Sequence, residues 1–121
     1  MVAFRYLVHD VDEAVAFYAD LPGFDLEQQM GPAFAIVVFD GVPLWLSAPA
    51  SSAARPMPDG AKPEPGGWNR IALEVDDIEA EVTRLRAAGV RVRGEIVVGP
   101  GGSQVVLEDP SGNAVELFQP A

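Results

Sequence analysis

Residues 8–23 read VHDVDEAVAFYADLPG and residues 75–89 read VDDIEAEVTRLRAAG, and the likeness between them decides the fold. A shift of 67 lays Val8 on Val75, Asp10 on Asp77, Val11 on Ile78, Val15 on Val82 and Tyr18 on Leu85. The closing glycines, Gly23 and Gly89, match at 66. In both copies an aspartate stands where an N-cap belongs, its carboxylate placed to accept from a first-turn N–H. Asp12 and Glu13 then suit the positive end of the helix dipole. Val11, Ala14, Val15, Tyr18 and Leu21 recur at helical spacing, as do Ile78, Val82 and Leu85. Pro22-Gly23 stops the first run and Gly89 the second. The spacing predicts helices over 10–21 and 77–88.

Working outward, strand-like segments flank each helix in the same order. VAFRYLVH (2–9) sets Phe4, Tyr6 and Val8 on one face and Ala3, Arg5, Leu7 and His9 on the other. WNRIALEVD (68–76) does the same with Ile71, Leu73 and Val75 against Arg70, Ala72 and Glu74. After the first helix come FDLEQQM (24–30), AFAIVVFD (33–40) and VPLWLSAP (42–49), the last two joined by the hairpin signal Asp40-Gly41. AFAIVVFD is nearly all apolar, which predicts burial on both faces or against a partner. In the third strand Leu44 and Leu46 lie opposite Trp45 and Ser47. After the second helix come VRVRGEIVV (90–98), SQVVLED (103–109) and AVELFQ (114–119). The chain therefore reads as an α+β protein of two βαβββ modules, 1–49 and 68–121, within a single domain 1–121. Residues 50–67, rich in Pro, Gly, Ala and Ser, read as a flexible linker between them.

The last strand carries the feature that most needs explaining. In DPSGNAVELFQP (109–120) a Pro-Ser-Gly-Asn turn precedes a strand whose Val115 and Leu117 point one way and Glu116 and Phe118 the other. An unpaired buried charge is costly, so Glu116 must face a cavity, a cation or a hydrogen-bonding partner, unless it stands in water on an edge.

Composition excludes several classes of function. With 18 acidic residues against 8 basic ones and a net charge of −10, the chain lacks the clustered cations that nucleic-acid binding needs. Such acidity steers cationic ligands in, or simply confers solubility. There are no cysteines, hence no disulfides and no thiolate chemistry. No apolar run is long enough to span a membrane, and the opening MVAFRYLVHDVDE has no signal-peptide pattern, so a cytoplasmic protein is expected. His9, the single histidine, precedes a helix cap, where a solvated or locally bonded residue is the ordinary case. No Ser-His or Cys-His pair suggests nucleophilic catalysis.

The paired modules, the openings LVHDVDEAVAFYADLPGFDL (7–26) and IALEVDDIEAEVTRLRAAGVRV (71–92), and the ending LEDPSGNAVELFQP (107–120) together resemble the vicinal oxygen chelate superfamily. Glyoxalase I, extradiol dioxygenases, fosfomycin-resistance enzymes and bleomycin-binding proteins share its fold, and that fold hosts several chemistries. The resemblance implies a curled sheet in each module, a helix on its convex side, and a shared concave cavity. In metal-dependent members the ligands come from the first and last strands of each module, which here are Ala3, Trp45, Arg70 and Glu116. Only Glu116 is a donor of the usual kind. A catalytic site needs about three protein ligands, so no metal and no other cofactor is expected.

The cavity that the resemblance implies would instead be lined by Arg5, Trp45, Arg70, Glu74, Gln104, Glu116 and Phe118, with Trp68 as a further wall, a lid residue or core filler. Trp45 offers a flat surface for a planar or hydrophobic ligand. Arg70 and Glu116 either contact the ligand or pair with each other. Two functions follow. One is a non-catalytic binder that sequesters an antibiotic or metabolite, cationic or aromatic, and so confers resistance. The other is a metal-free lyase, isomerase or cyclase with Glu116 or Glu74 as general base. The resemblance, together with the apolar AFAIVVFD, also implies a homodimer.

Overall fold

The computed structural model describes all residues, Met1–Ala121. The chain divides into two units, Met1–Gly66 and Gly67–Ala121. The first contains β1 (Phe4–Leu7), α1 (Val11–Ala19), β2 (Phe24–Met30), β3 (Phe34–Phe39) and β4 (Val42–Ser47). The second contains β5 (Ile71–Glu74), α2 (Ile78–Ala87), β6 (Arg91–Gly99), β7 (Gly102–Glu108) and β8 (Ala114–Pro120). Their sheets have the same topology, β1-β4-β3-β2 and β5-β8-β7-β6, with the first pair parallel and the others antiparallel. This is the duplicated βαβββ architecture that the sequence predicts. Neither helix is long and apolar enough to cross a membrane.

The repeat holds at the level of single bonds. Asp10 accepts from the Glu13 N–H at 2.9 Å, and Asp77 from the Ala80 N–H at 3.1 Å. Each satisfies an orphan first-turn donor, a contribution of about 1 kcal/mol. Val8 N–H donates to Ser47 at 3.0 Å and Val75 N–H to Phe118 at 2.8 Å, tying each first strand to the end of its last. Gly89 follows the α2 cap Ala88 and takes φ of +87°, as a residue ending a helix by reversal requires, whereas α1 stops earlier than predicted, at its cap Asp20, and Gly23 (φ +84°) lies three residues on, in the turn into β2.

In each unit the helix covers one face of the sheet. Val11, Ala14, Tyr18 and Leu21 are buried with Ala35, Val37, Leu44 and Leu46; Ile78, Val82 and Leu85 are buried in the second unit, as are Leu73, Val105, Leu107, Val115 and Leu117. Strand alternation sends the remaining side chains to the face the helix does not cover. Within the single chain AFAIVVFD is therefore not buried on both sides, which is one of the two alternatives that its composition offers. Ala35 and Val37 are buried, whereas Phe34, Ile36, Val38 and Phe39 are half-buried. One helix covers only one face, and the run is apolar on both.

The first strand of each module is also shorter than predicted, Phe4–Leu7 and Ile71–Glu74. Each is an edge strand that pairs on one side only, over four residues. Trp68, Asn69 and Arg70 consequently precede β5 instead of lying within it. Residues 48–66 belong to the first unit. There Lys62, Pro63, Glu64 and Pro65 fold against Leu7, Val8, His9 and Ser47 around a cavity of about 200 Å³.

Candidate functional site

In the second unit the site grows from the β8 alternation. Val115 and Leu117 are fully buried on the helix side, so Glu116 and Phe118 lie on the uncovered face. Cross-strand register then assigns their neighbours. Glu116 sits between Ala72 and Val106, and Phe118 between Glu74 and Gln104. Arg70 stands two residues before Ala72, and the small Ala72 side chain leaves its guanidinium room to reach Glu116. Arg70 Nε and Nη2 each approach Glu116 Oε1 at 2.9 Å, and Nη1 donates to the Trp68 carbonyl at 3.2 Å. The Glu116 side chain is only 13% exposed and that of Arg70 27%, so water is largely replaced by a charge-assisted pair.

The turn before β8 is built by Asp109, a buried carboxylate. Its Oδ1 accepts from the Ser111 and Asn113 N–H groups at 3.0 and 2.8 Å, and its Oδ2 from the Asn113 amide at 3.0 Å. Arg93 of β6 braces the same turn by donating from Nη2 to the Gly112 carbonyl at 2.9 Å. Its Nε meets Glu108 at 2.9 Å, and its guanidinium carbon lies 4.6 Å from the Trp68 ring centroid.

In the first unit, Arg5 and Trp45 are direct cross-strand partners on β1 and β4. The Arg5 guanidinium carbon is 4.9 Å from the indole centroid, and Nη1 donates to the hydroxyl of the fully buried Ser47 at 3.0 Å. The Phe34 ring meets Trp45 at 6.2 Å with planes 69° apart. Trp45 is thus half-buried, with Arg5 over its ring system. A planar ligand here meets a guanidinium–indole stack and not a bare indole.

Arg70, Glu116 and Trp68 therefore come together in the second unit, with Glu74, Gln104 and Phe118 one row along the same face. Arg5 and Trp45 come together in the first. His9 is exposed beside the small cavity near Lys62 and Glu64. Sequence reasoning missed Arg93, Glu108 and Ser47. Arg93 follows Arg91 at strand spacing in VRVRGE, a charged alternation that would have placed both on one face; Ser47 follows Trp45 on the face opposite Leu46.

The metal positions of the resembling enzymes can be tested on this chemistry. Ala3 and Trp45 offer no donor, and Arg70 is a cation whose guanidinium already neutralises Glu116, the single carboxylate of the set. These residues do not fit a divalent ion.

Comparison with known proteins agrees with the topology. The chain matches the family model described as Glyoxalase/Bleomycin resistance protein/Dioxygenase superfamily over residues 1–117. The solved structure of TnmS3, an antibiotic binding protein from Streptomyces sp. CB03234, is 29% identical with a TM-score of 0.67, covering 100% of this chain and 97% of that one. A glyoxalase/bleomycin resistance protein from Streptomyces sp. CB03234 is 30% identical with a TM-score of 0.67, covering 97% of each chain. Lactoylglutathione lyase from Agrobacterium tumefaciens is 23% identical with a TM-score of 0.73, covering 98% and 92%, a likeness that speaks for the fold alone. No curated protein matches the chain.

Proposed function

Because the chain belongs to the glyoxalase/bleomycin resistance protein/dioxygenase superfamily, we propose that it is a metal-independent binder of a small, partly planar organic molecule, an antibiotic or metabolite that it sequesters unchanged. The observation that carries this reading is the Arg70–Glu116 pair at 2.9 Å. It places a fixed cation where resembling enzymes have a histidine ligand, and it commits the remaining carboxylate to that cation. The Arg5–Trp45 stack supports the same reading, since it offers a flat, polarisable surface at another former ligand position. Sequestration needs affinity and no turnover, so the loss of metal donors costs such a protein nothing. The relative TnmS3 is an antibiotic binding protein.

Titrating the intrinsic tryptophan fluorescence against a panel of aromatic antibiotics and metabolites, with and without a chelator, tests the proposal. At least one member should bind saturably and to the same extent in both conditions. Binding only when a divalent ion is supplied would overturn it.

A second reading is favoured by one observation. Glu74 is exposed on the same uncovered face, where it can serve as a general base, with Arg70 stabilising a developing oxyanion in a metal-free isomerase, lyase or cyclase. The fate of the ligand separates the two readings, because an enzyme returns it altered.

A further inference from the structure

Trp68 combines two properties that rarely coincide. It is 68% exposed, yet its surroundings hold it in place from several directions. Arg93 lies over its ring at 4.6 Å, and Arg70 donates to its carbonyl at 3.2 Å. Arg93 also donates from Nη1 to the preceding carbonyl, that of Gly67, at 2.9 Å. Both arginines are themselves anchored, Arg70 on Glu116 and Arg93 on Glu108, each at 2.9 Å. The backbone is shaped to match, because Gly66 and Gly67 take φ of +117° and +90°, conformations that side-chain-bearing residues rarely adopt.

Ordering a segment costs conformational entropy. Three contacts from two ion-paired arginines, on an aromatic that stays mostly in water and on the residue before it, bury little apolar area in return. Core packing does not account for them. An exposed aromatic held rigid before any ligand arrives is what a binding surface requires, since the ordering cost is met in the free protein.

We propose that Trp68 is a preset stacking platform for a planar conjugated group and that Arg93 is the positioning residue that sets it. Arg93 covers one face of the indole and leaves the rest of the ring to the ligand. Its fork does what a lysine cannot. It joins Glu108 on β7, the Gly67 carbonyl and the turn carbonyl of Gly112 at once, and so fixes the plane in which the guanidinium meets the indole. This inference deepens the binding function proposed above and rests on it for the ligand, whereas the positioning by Arg93 stands independently.

The experiment uses the full chain, carrying Trp45→Phe for the fluorescence measurements, so that Trp68 is the sole tryptophan, and keeping Trp45 for the binding measurement. Time-resolved anisotropy and acrylamide quenching report its order, and ligand-observed NMR with naphthalene-2-sulfonate reports stacking. Arg93→Met, which keeps the apolar stem, should at least double the quenching constant, add a fast local motion and weaken naphthalene-2-sulfonate binding about tenfold. Arg93→Lys should not rescue either effect. Gly67→Ala, which touches no neighbouring side chain, should reproduce both. Unchanged far-UV dichroism separates these effects from unfolding. Unaltered Trp68 dynamics in Arg93→Met would overturn the positioning role. Altered dynamics with unaltered naphthalene-2-sulfonate binding, or no binding at millimolar concentration by the parent, would overturn the platform while leaving the wider binding proposal to its own panel.

Discussion

At the scale of single residues, the proposed binding function rests on the ion pair and the two guanidinium–indole contacts. Glu116→Gln removes one charge and leaves Arg70 with a neutral partner on a partly buried surface. Weakening a charge-assisted hydrogen bond of this kind costs about 1.5–3 kcal/mol, so the melting temperature should fall. Affinity should fall for cationic ligands and rise for anionic ones, as calorimetry on a matched pair of ligands would measure. Equal effects on both would mean that Glu116 does not face the ligand. Trp45→Ala removes the flat partner of Arg5, and with the lost area should weaken binding of a planar ligand by roughly one to two decades. An unchanged dissociation constant would remove Trp45 from the site.

At the scale of elements, caps and turns carry the duplication. Asp109 is 4% exposed and accepts three hydrogen bonds, so Asp109→Ala strands donors in a buried turn. A loss of about 3 kcal/mol is expected, seen as a thermal midpoint lower by on the order of 10 °C. A shift of only a degree or two would mean the turn forms without it. These elements were legible because their signals are local. Asp10 and Asp77 cap helices whose apolar spacing names their buried faces, and the glycine stops fall one residue from the repeat interval. The sequence also fixed no end for β1 or β5, because edge pairing depends on how far a partner strand extends. Trp68 read as strand for that reason, although its place is set by Arg93 and Arg70. Arg93 itself went unnoticed because three of its four partners are backbone carbonyls or a ring, which no sequence pattern names. The pairing of Arg70 with Glu116 was open to sequence reasoning, since alternation points both to one face, but its distance was not.

At the scale of the whole molecule, nineteen of 121 residues are α-helical and most of the rest of the regular structure is strand, so far-UV dichroism should be dominated by β signal. We further propose a homodimer. Leu26, Met30, Val42, Val97 and Val98 are exposed on strands, and apolar side chains so placed favour association. Sedimentation at micromolar concentration should give twice the 12.8 kDa chain mass, and a monomer would contradict it. The central claim is that the protein holds its ligand without metal and releases it unchanged. The most direct measurement is to strip the protein with chelator, saturate it with the tightest-binding member of the antibiotic and metabolite panel, and recover the ligand after prolonged incubation for mass spectrometry, with elemental analysis of the same sample. The account predicts stoichiometric binding, no associated divalent metal and a ligand of unaltered mass and retention. A ligand recovered chemically changed, or binding that returns only with stoichiometric metal, would contradict it.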